Sequence, residues 1–359
     1  MTRGRAGPAR PYDPDVEIED ARRSVDFAES ARKQLRGKDA EAVRVELEAR
    51  YPELSSAFEL LLAGGDTNSA LRLADALVPF WMATKRIDEG DRWFERAISA
   101  SGPGDATRTR ALYEHGYLIF WTGDDERSGT LSREALTEAR RTNEPTVAAL
   151  ALGVLARIAL RTDVEEAKRL LLEALAETDG TDDVDGRSSA MHVLGVAHQM
   201  SGEFEDAKRV MSQRIILGRE TGNDYLVAVE SANLSMVERQ LGNLPDAAAL
   251  SREALETFDR LGDALAVAWS ANSHAAVTAA IGDLPRAATI LGFAEAGIER
   301  AGGEWPPDER AQYEETLIAL RAGMAASDIE DARAAGRSLS TSEALSLVRS
   351  TPPAGSVGA

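Results

Sequence analysis

The chain has 359 residues, 43% of them hydrophobic, enough to bury a large core, and its net charge of −19 argues against direct binding to nucleic-acid phosphates. It has no cysteine, which excludes a disulfide framework and a thiolate metal site. The N-terminus lacks the apolar core of a secretion signal, so a cytoplasmic protein is expected.

Residues 1–16 place Pro8, Pro11 and Pro14 among arginines and glycines, with too little apolar surface to offset ordering entropy, and a disordered tail is expected there. Glu17 to Leu35 and Asp39 to Arg50 read as helices, and Pro52 suits the first turn of a third that ends at Ala63-Gly64-Gly65. Residues 17–66 are therefore expected to form an N-terminal cap.

From Thr67 onward the chain repeats itself. Gly242 recurs as Gly202 and Gly282, each 40 residues away, and each glycine sits in a tight turn between two helical patterns. The fifth residue after each turn glycine, or after its counterparts Lys85 and Thr162, is Gly90, Ser128, Ala167, Ala207, Ala247 and Ala287, all small. The eighth is Trp93, Leu131, Leu170, Val210, Leu250 and Ile290, and the twelfth is Ala97, Ala135, Ala174, Arg214, Ala254 and Ala294. Seven residues before the turn stand Gly116, Gly195, Ser235 and Ala275, with Val78 and Leu155 as departures. Small residues let the two helices of a hairpin approach closely while large ones fill the space between layers. Six such pairs over 67–303 predict an all-α, elongated helical-hairpin solenoid. Ala264 to Gly282 has no charged residue over 19 positions but contains Ser270, Asn272, Ser273, His274 and Thr278, and reads as a buried helix rather than a membrane span. Residues 304–350 are expected to form C-terminal capping helices, and 351–359 a flexible tail.

This alternation of small and large residues resembles the tetratricopeptide repeat, whose first helix carries a glycine seven residues before the turn glycine and whose second carries alanines five and twelve after it. The steps of 38, 39, 40, 40 and 40 residues exceed the usual length of about 34, which longer helices explain. Such long units are similar to the arrays of large bacterial signal-transduction ATPases and LuxR-type regulators, as are the segments ATILGFAEA, GGEWPPDERAQYEETL and ARAAGRSLSTSEAL. No G-x-x-x-x-G-K-[ST] loop is present, since Gly37-Lys38 lacks the glycine five residues earlier, and no helix-turn-helix pattern follows the array. The resemblance implies the right-handed sensor part of such a regulator, without its ATPase or DNA-binding domains.

Tyr113, Tyr117, Phe120 and Trp121 fall at i, i+4, i+7 and i+8 on one helix face, which in a tetratricopeptide repeat lines the concave groove. The equivalent positions supply His192, Gln199, Arg239, Trp269 and Asn272, together a groove suited to a peptide or small ligand. Phe120 and Trp121 are equally compatible with core packing between repeats. His115 and His274 occupy matching positions on a core-facing side, while His192 and His198 lie six residues apart and diverge around a helix. The run Thr181-Asp182-Asp183-Val184-Asp185 lacks the spaced ligands of a calcium loop and reads as a solvated acidic loop. No nucleophile elbow, zinc-protease or dinucleotide motif occurs. The expectation is a non-enzyme without cofactor or metal that binds a protein, peptide or small-molecule effector in transcriptional or signalling regulation. The alternative is an accessory or diverged ligand-modifying protein of a biosynthetic pathway, with its site in the groove. Oligomeric state is open.

Overall fold

The computed structural model describes residues 14–35, 39–301, 303, 305 and 307–351; most of both expected tails lies outside them. Among the described residues there are seventeen α-helices and no strand. The chain divides into two units, residues 1–147 and 148–359. Each unit is a stack of tetratricopeptide-like helical hairpins, the all-α solenoid expected.

In the first unit α1 (Pro14–Gln34) and α2 (Ala40–Ala63) precede the hairpins α3–α4 (Thr67–Thr84, Ile87–Ala100) and α5–α6 (Ala106–Phe120, Asp125–Thr142). The expected break at Pro52 is absent: α2 runs unbroken through it. Proline removes the hydrogen bond to the carbonyl four residues back. Here Pro52 and Glu48 are both exposed, so water can satisfy that carbonyl, while Leu47, Leu54, Ala57 and Phe58 on the opposite side hold the helix down.

α7 (Pro145–Ala159) straddles the boundary. In the second unit come α8 (Val164–Glu177) and the hairpins α9–α10 (Val184–Met200, Phe204–Glu220), α11–α12 (Asp224–Gln240, Leu244–Leu261) and α13–α14 (Ala264–Ile281, Leu284–Ala301). Three further helices, α15 (Pro307–Gly323), α16 (Ala326–Arg337) and α17 (Thr341–Arg349), finish it. α15 lies beside α13, and α16 lies along α14. Gly292 and Gly336 make that last contact possible, because a Cβ on either would run into the backbone of the other helix.

The small positions meet as the repeat requires. Ser128 Oγ donates to Gly116 O at 2.8 Å and Ser235 Oγ to Ala247 O at 2.9 Å, joining the position seven before the turn to the position five after it. All six residues at that second position are buried. Five of the six hairpin turns place a left-handed residue there, Thr162 being the exception: Gly242 has φ 79°, and Lys85, at the glycine's place in its hairpin, is forced to φ 59°. Many of the acidic residues are helix caps. Asp66, Asp105, Asp124, Asp163, Asp183 and Asp263 each accept a backbone N–H from the first turn of the following helix. Asp183, in the run expected to be a solvated loop, thus has a structural role. α13 is buried nearly all round, as expected, and no helix among the described residues is long and apolar enough to cross a membrane.

Candidate functional site

The first helices of successive hairpins lie side by side, α1, α3 and α5 in one unit and α11, α13 and α15 in the other. Their shared faces are where the sequence placed its candidate residues.

On α5, Tyr113 stacks on Tyr117 at 6.1 Å, Tyr117 meets Trp121 edge-on at 6.0 Å, and Trp121 meets Phe120 at 5.5 Å. The stripe exists, but its members differ in access: Tyr113 and Phe120 are buried, Tyr117 is half-buried, and Trp121 is 52% exposed. Beside it stands a charge cluster that sequence spacing did not reveal. Arg32 of α1 donates to the Asp75 carboxylate and to Glu114, both at 2.9 Å, and Arg110 donates to Glu114 at 2.6 Å. Arg32 also donates to the main-chain carbonyl of Asp75. That carbonyl is the one Pro79 leaves without its helical N–H. Burial and the neighbouring Glu114 push the Asp75 carboxyl up to about 7. Burial opposes ionisation of Glu114 as well, but Arg32 and Arg110 outweigh it and hold that carboxyl below its usual range. The two carboxyls thus share a proton between paired guanidinium groups.

In the second unit the inner faces of α9, α11 and α13, with Phe258 of α12 and Glu309 of α15, line a half-open cavity of about 240 Å³. His192 and Trp269 line it, together with Val196, Tyr225, Val229 and Asn233. His192 Nδ1 donates to Glu230 Oε2 at 3.1 Å, so Nε2 is the ring nitrogen left for a ligand. Glu230 is fully buried and also accepts from Arg214, whose Nε donates to Ser188 O at 2.9 Å. Arg214 is the residue that broke the run of alanines at the twelfth position, and the break is what brings a cation through to the inner face.

The remaining candidates sit elsewhere. Asn272 is fully buried rather than on a wall, because α15 covers it; its amide donates to Glu309 Oε2 at 2.7 Å and to Glu309 O at 2.9 Å. Its role is to hold Glu309. Arg239 pairs with Glu315 of α15 at 3.0 Å, and Gln199, half-buried two turns along α9 from His192, is not part of the cavity wall. The sequence missed Glu230, Glu309, Arg214 and the charge cluster because each acts with partners on distant helices.

His115 and His274 are both buried, as their matching positions implied. His115 bonds Asp91 at 2.6 Å, and His274 is fixed between Ser251 Oγ at 2.7 Å and Thr351 Oγ1 at 3.0 Å. Burial, with Arg252 and Arg286 nearby, lowers the His274 imidazole to about 3, so it is neutral and structural. His198, Glu203 and Asp206 place ligand atoms within 4.8 Å of one another, a spacing a metal ion could use. The Lys168 ammonium already bonds both Glu203 oxygens, at 2.8 and 2.9 Å, and supplies the positive charge at that point.

A scan against protein-family models found no match. Over 297 residues, 80% of this chain, the sequence is 25% identical to a protein of Mycobacterium tuberculosis (strain ATCC 25618 / H37Rv) named "Putative HTH-type transcriptional regulator". The chain spans only about a third of that relative, 33% of its length. Among solved structures, the Rap conjugation gene regulator of plasmid pLS20 in complex with the Phr* peptide superposes with TM-score 0.51 at 13% identity, covering 86% of this chain and 96% of that one. Aspartyl phosphate phosphatase F from Bacillus subtilis gives TM-score 0.51 at 11% identity, covering 94% and 97%. At these identities the likeness is one of fold, and the fold is that of tetratricopeptide-like helical repeats.

Proposed function

We propose that the chain is a non-catalytic interaction module that takes a peptide or protein partner on the inner helix faces of its repeats, within a transcriptional or signalling regulator. The observation that carries this reading is the cavity in the second unit: four inner helices supply aromatic, aliphatic and polar groups to one site. The regulator-named relative and the peptide-bound structural neighbour support it, as does the resemblance to the sensor arrays of LuxR-type regulators. The Ser251–His274 pair does not offer a hydrolytic alternative, because both residues are completely buried, with no route for a substrate.

Photo-crosslinking tests the proposal. A benzoylphenylalanine at position 269 should capture a defined partner in cells, and V229W, which fills the cavity, should abolish that product. The same probe at Leu172, exposed on α8, serves as the outer control. Capture at 172 but not at 269 would move the working surface away from the inner faces.

A further inference from the structure

We propose that another cavity of the second unit, on the opposite face of α13 from the partner cavity, binds a free α-amino acid with a large aliphatic side chain. The two cavities share no lining residue, so this inference stands apart from the reading of the partner site.

This cavity is half-open and has a volume of about 310 Å³, at the lower end of the roughly 300–1,000 Å³ of small-molecule sites. It lies where the end of α12, the start of α13, the second half of α14 and Thr341 at the start of α17 come together. Along α13, Ala264, Val267 and Ala268 face it at i, i+3 and i+4, while Ala266, Trp269 and Ser270 face the partner cavity. Val267, Ala268 and Phe293 are buried and make an apolar floor. Gly297 closes that floor: a Cβ there would lie 2.8 Å from the Ala268 Cβ, so glycine lets α14 pass close to α13.

Two side chains of opposite charge, Arg300 and Asp259, stand at the exposed mouth. Arg300 Nε donates to Ala296 O at 3.0 Å, and its guanidinium carbon lies 6.0 Å from the centre of the Phe293 ring. Both contacts hold the group without using its two terminal amino groups, the pair that grips a carboxylate in bidentate fashion. Among the described residues the Asp259 side chain forms no hydrogen bond or ion pair, with Arg300 or with any other group. One cation, one anion and an apolar floor match the three parts of an amino acid: carboxylate to Arg300, ammonium to Asp259, and side chain on Val267, Ala268 and Phe293. A simple anion would meet Asp259, a simple cation would meet Arg300, and a residue within a peptide lacks one or both charges. Glycine itself would leave the floor uncovered, which favours a large aliphatic side chain.

Titration of the full chain with L-leucine, followed by the methyl NMR signals of Val267 and Ala268, tests this. Leucine should shift both signals and saturate in the millimolar range or below, as suits so small a ligand. Two analogues each remove one charge: L-leucinamide lacks the carboxylate and N-acetyl-L-leucine lacks the ammonium. Each should bind about tenfold or more weaker, as loss of a charged hydrogen bond implies. R300Q should bring leucine down to the level of leucinamide while changing leucinamide little, and D259N should do the same with N-acetyl-leucine. Both side chains are exposed, so these variants keep the core intact. No binding of leucine, binding of either analogue as tight as that of leucine, or leucine binding unchanged in either variant overturns the proposal. None of these outcomes bears on crosslinking at position 269, which the other cavity decides.

Discussion

In the first unit the space between helices is filled by rings: Phe58 stacks on Trp93 at 4.1 Å, Trp93 meets Trp81 edge-on at 5.3 Å, and Phe94 stacks on His115 at 5.3 Å. In the second the corresponding core has fewer rings, Phe258 and Phe293, and is filled by aliphatic side chains such as Leu255, Ile290 and Leu291 interleaved with small residues, Ala254, Ala275, Ala287 and Ala294 among them. The same hairpin register therefore accommodates two kinds of interior. Rings must be given room, and Gly90 gives it: a Cβ there would lie 2.4 Å from the Trp81 ring and 2.7 Å from Leu118. The polar groups differ in the same sense. The first unit sets two arginines around a carboxyl pair that keeps a proton, while the second sends one arginine through to meet Glu230 beside the second-unit pocket.

The largest effect should come from breaking the second unit's buried pair. R214A leaves Glu230 without its cation in the interior and should cost about 3–5 kcal/mol, with E230Q in the same chain restoring much of it. Chemical denaturation of both variants checks this; a single variant as stable as the parent would mean that water reaches Glu230. Overpacking comes next and compares the two interiors directly. G90A presses on the Trp81 ring and A247L on the close contact with Ser235, each by about 1–3 kcal/mol. If A247L is tolerated, the alanine-lined hairpin is looser than its hydrogen bond at 2.9 Å implies.

The subtlest contrast is in pH dependence. Asp75 keeps its proton to about pH 7 when folded, against 3.8 ordinarily, so folding takes up a proton and the first unit loses stability as pH rises from about 4 to 7. Glu114 acts in the opposite sense, but only below its ordinary 4.5. His274 is lowered from 6.5 to about 3, so folding releases a proton; its contribution is full above 6.5 and is lost as pH falls toward 3. Each proton contributes at most about 1.4 kcal/mol per pH unit. Hydrogen exchange, corrected for its intrinsic pH dependence, should show protection falling in α3 and α5 and rising in α13 between pH 4.5 and 6.5. Parallel trends would mean that neither group sets the slope, and D75N should flatten the first.

The register of the hairpins was legible in the sequence because it depends on residue size at fixed spacing, and Ser128–Gly116 and Ser235–Ala247 meet where that spacing put them. The buried histidines were legible for the same reason. Pro52 misled because a helix boundary depends on whether the orphaned carbonyl reaches water, which spacing does not encode. The candidate wall was legible for His192 and Trp269, which need only their own helix to face inward. It was not legible for Asn272, whose burial is due to α15, or for Arg32, Asp75, Arg110 and Glu114, which meet only once three helices are side by side. Arg214 was the one overt signal, a long cation where every other repeat has alanine.

Arg32 also changes how the first unit assembles. Stacked hairpins are built mainly from contacts between neighbours, so such arrays can begin to fold at almost any point along the chain. The Arg32 guanidinium instead reaches residues 43 and 82 positions later, and one of its bonds replaces the donor that Pro79 cannot supply. Helix α1 is thereby completed by segments made well after it. Its docking closes a long loop, a non-local step in a fold otherwise dominated by local ones, and should be slow relative to formation of the individual hairpins.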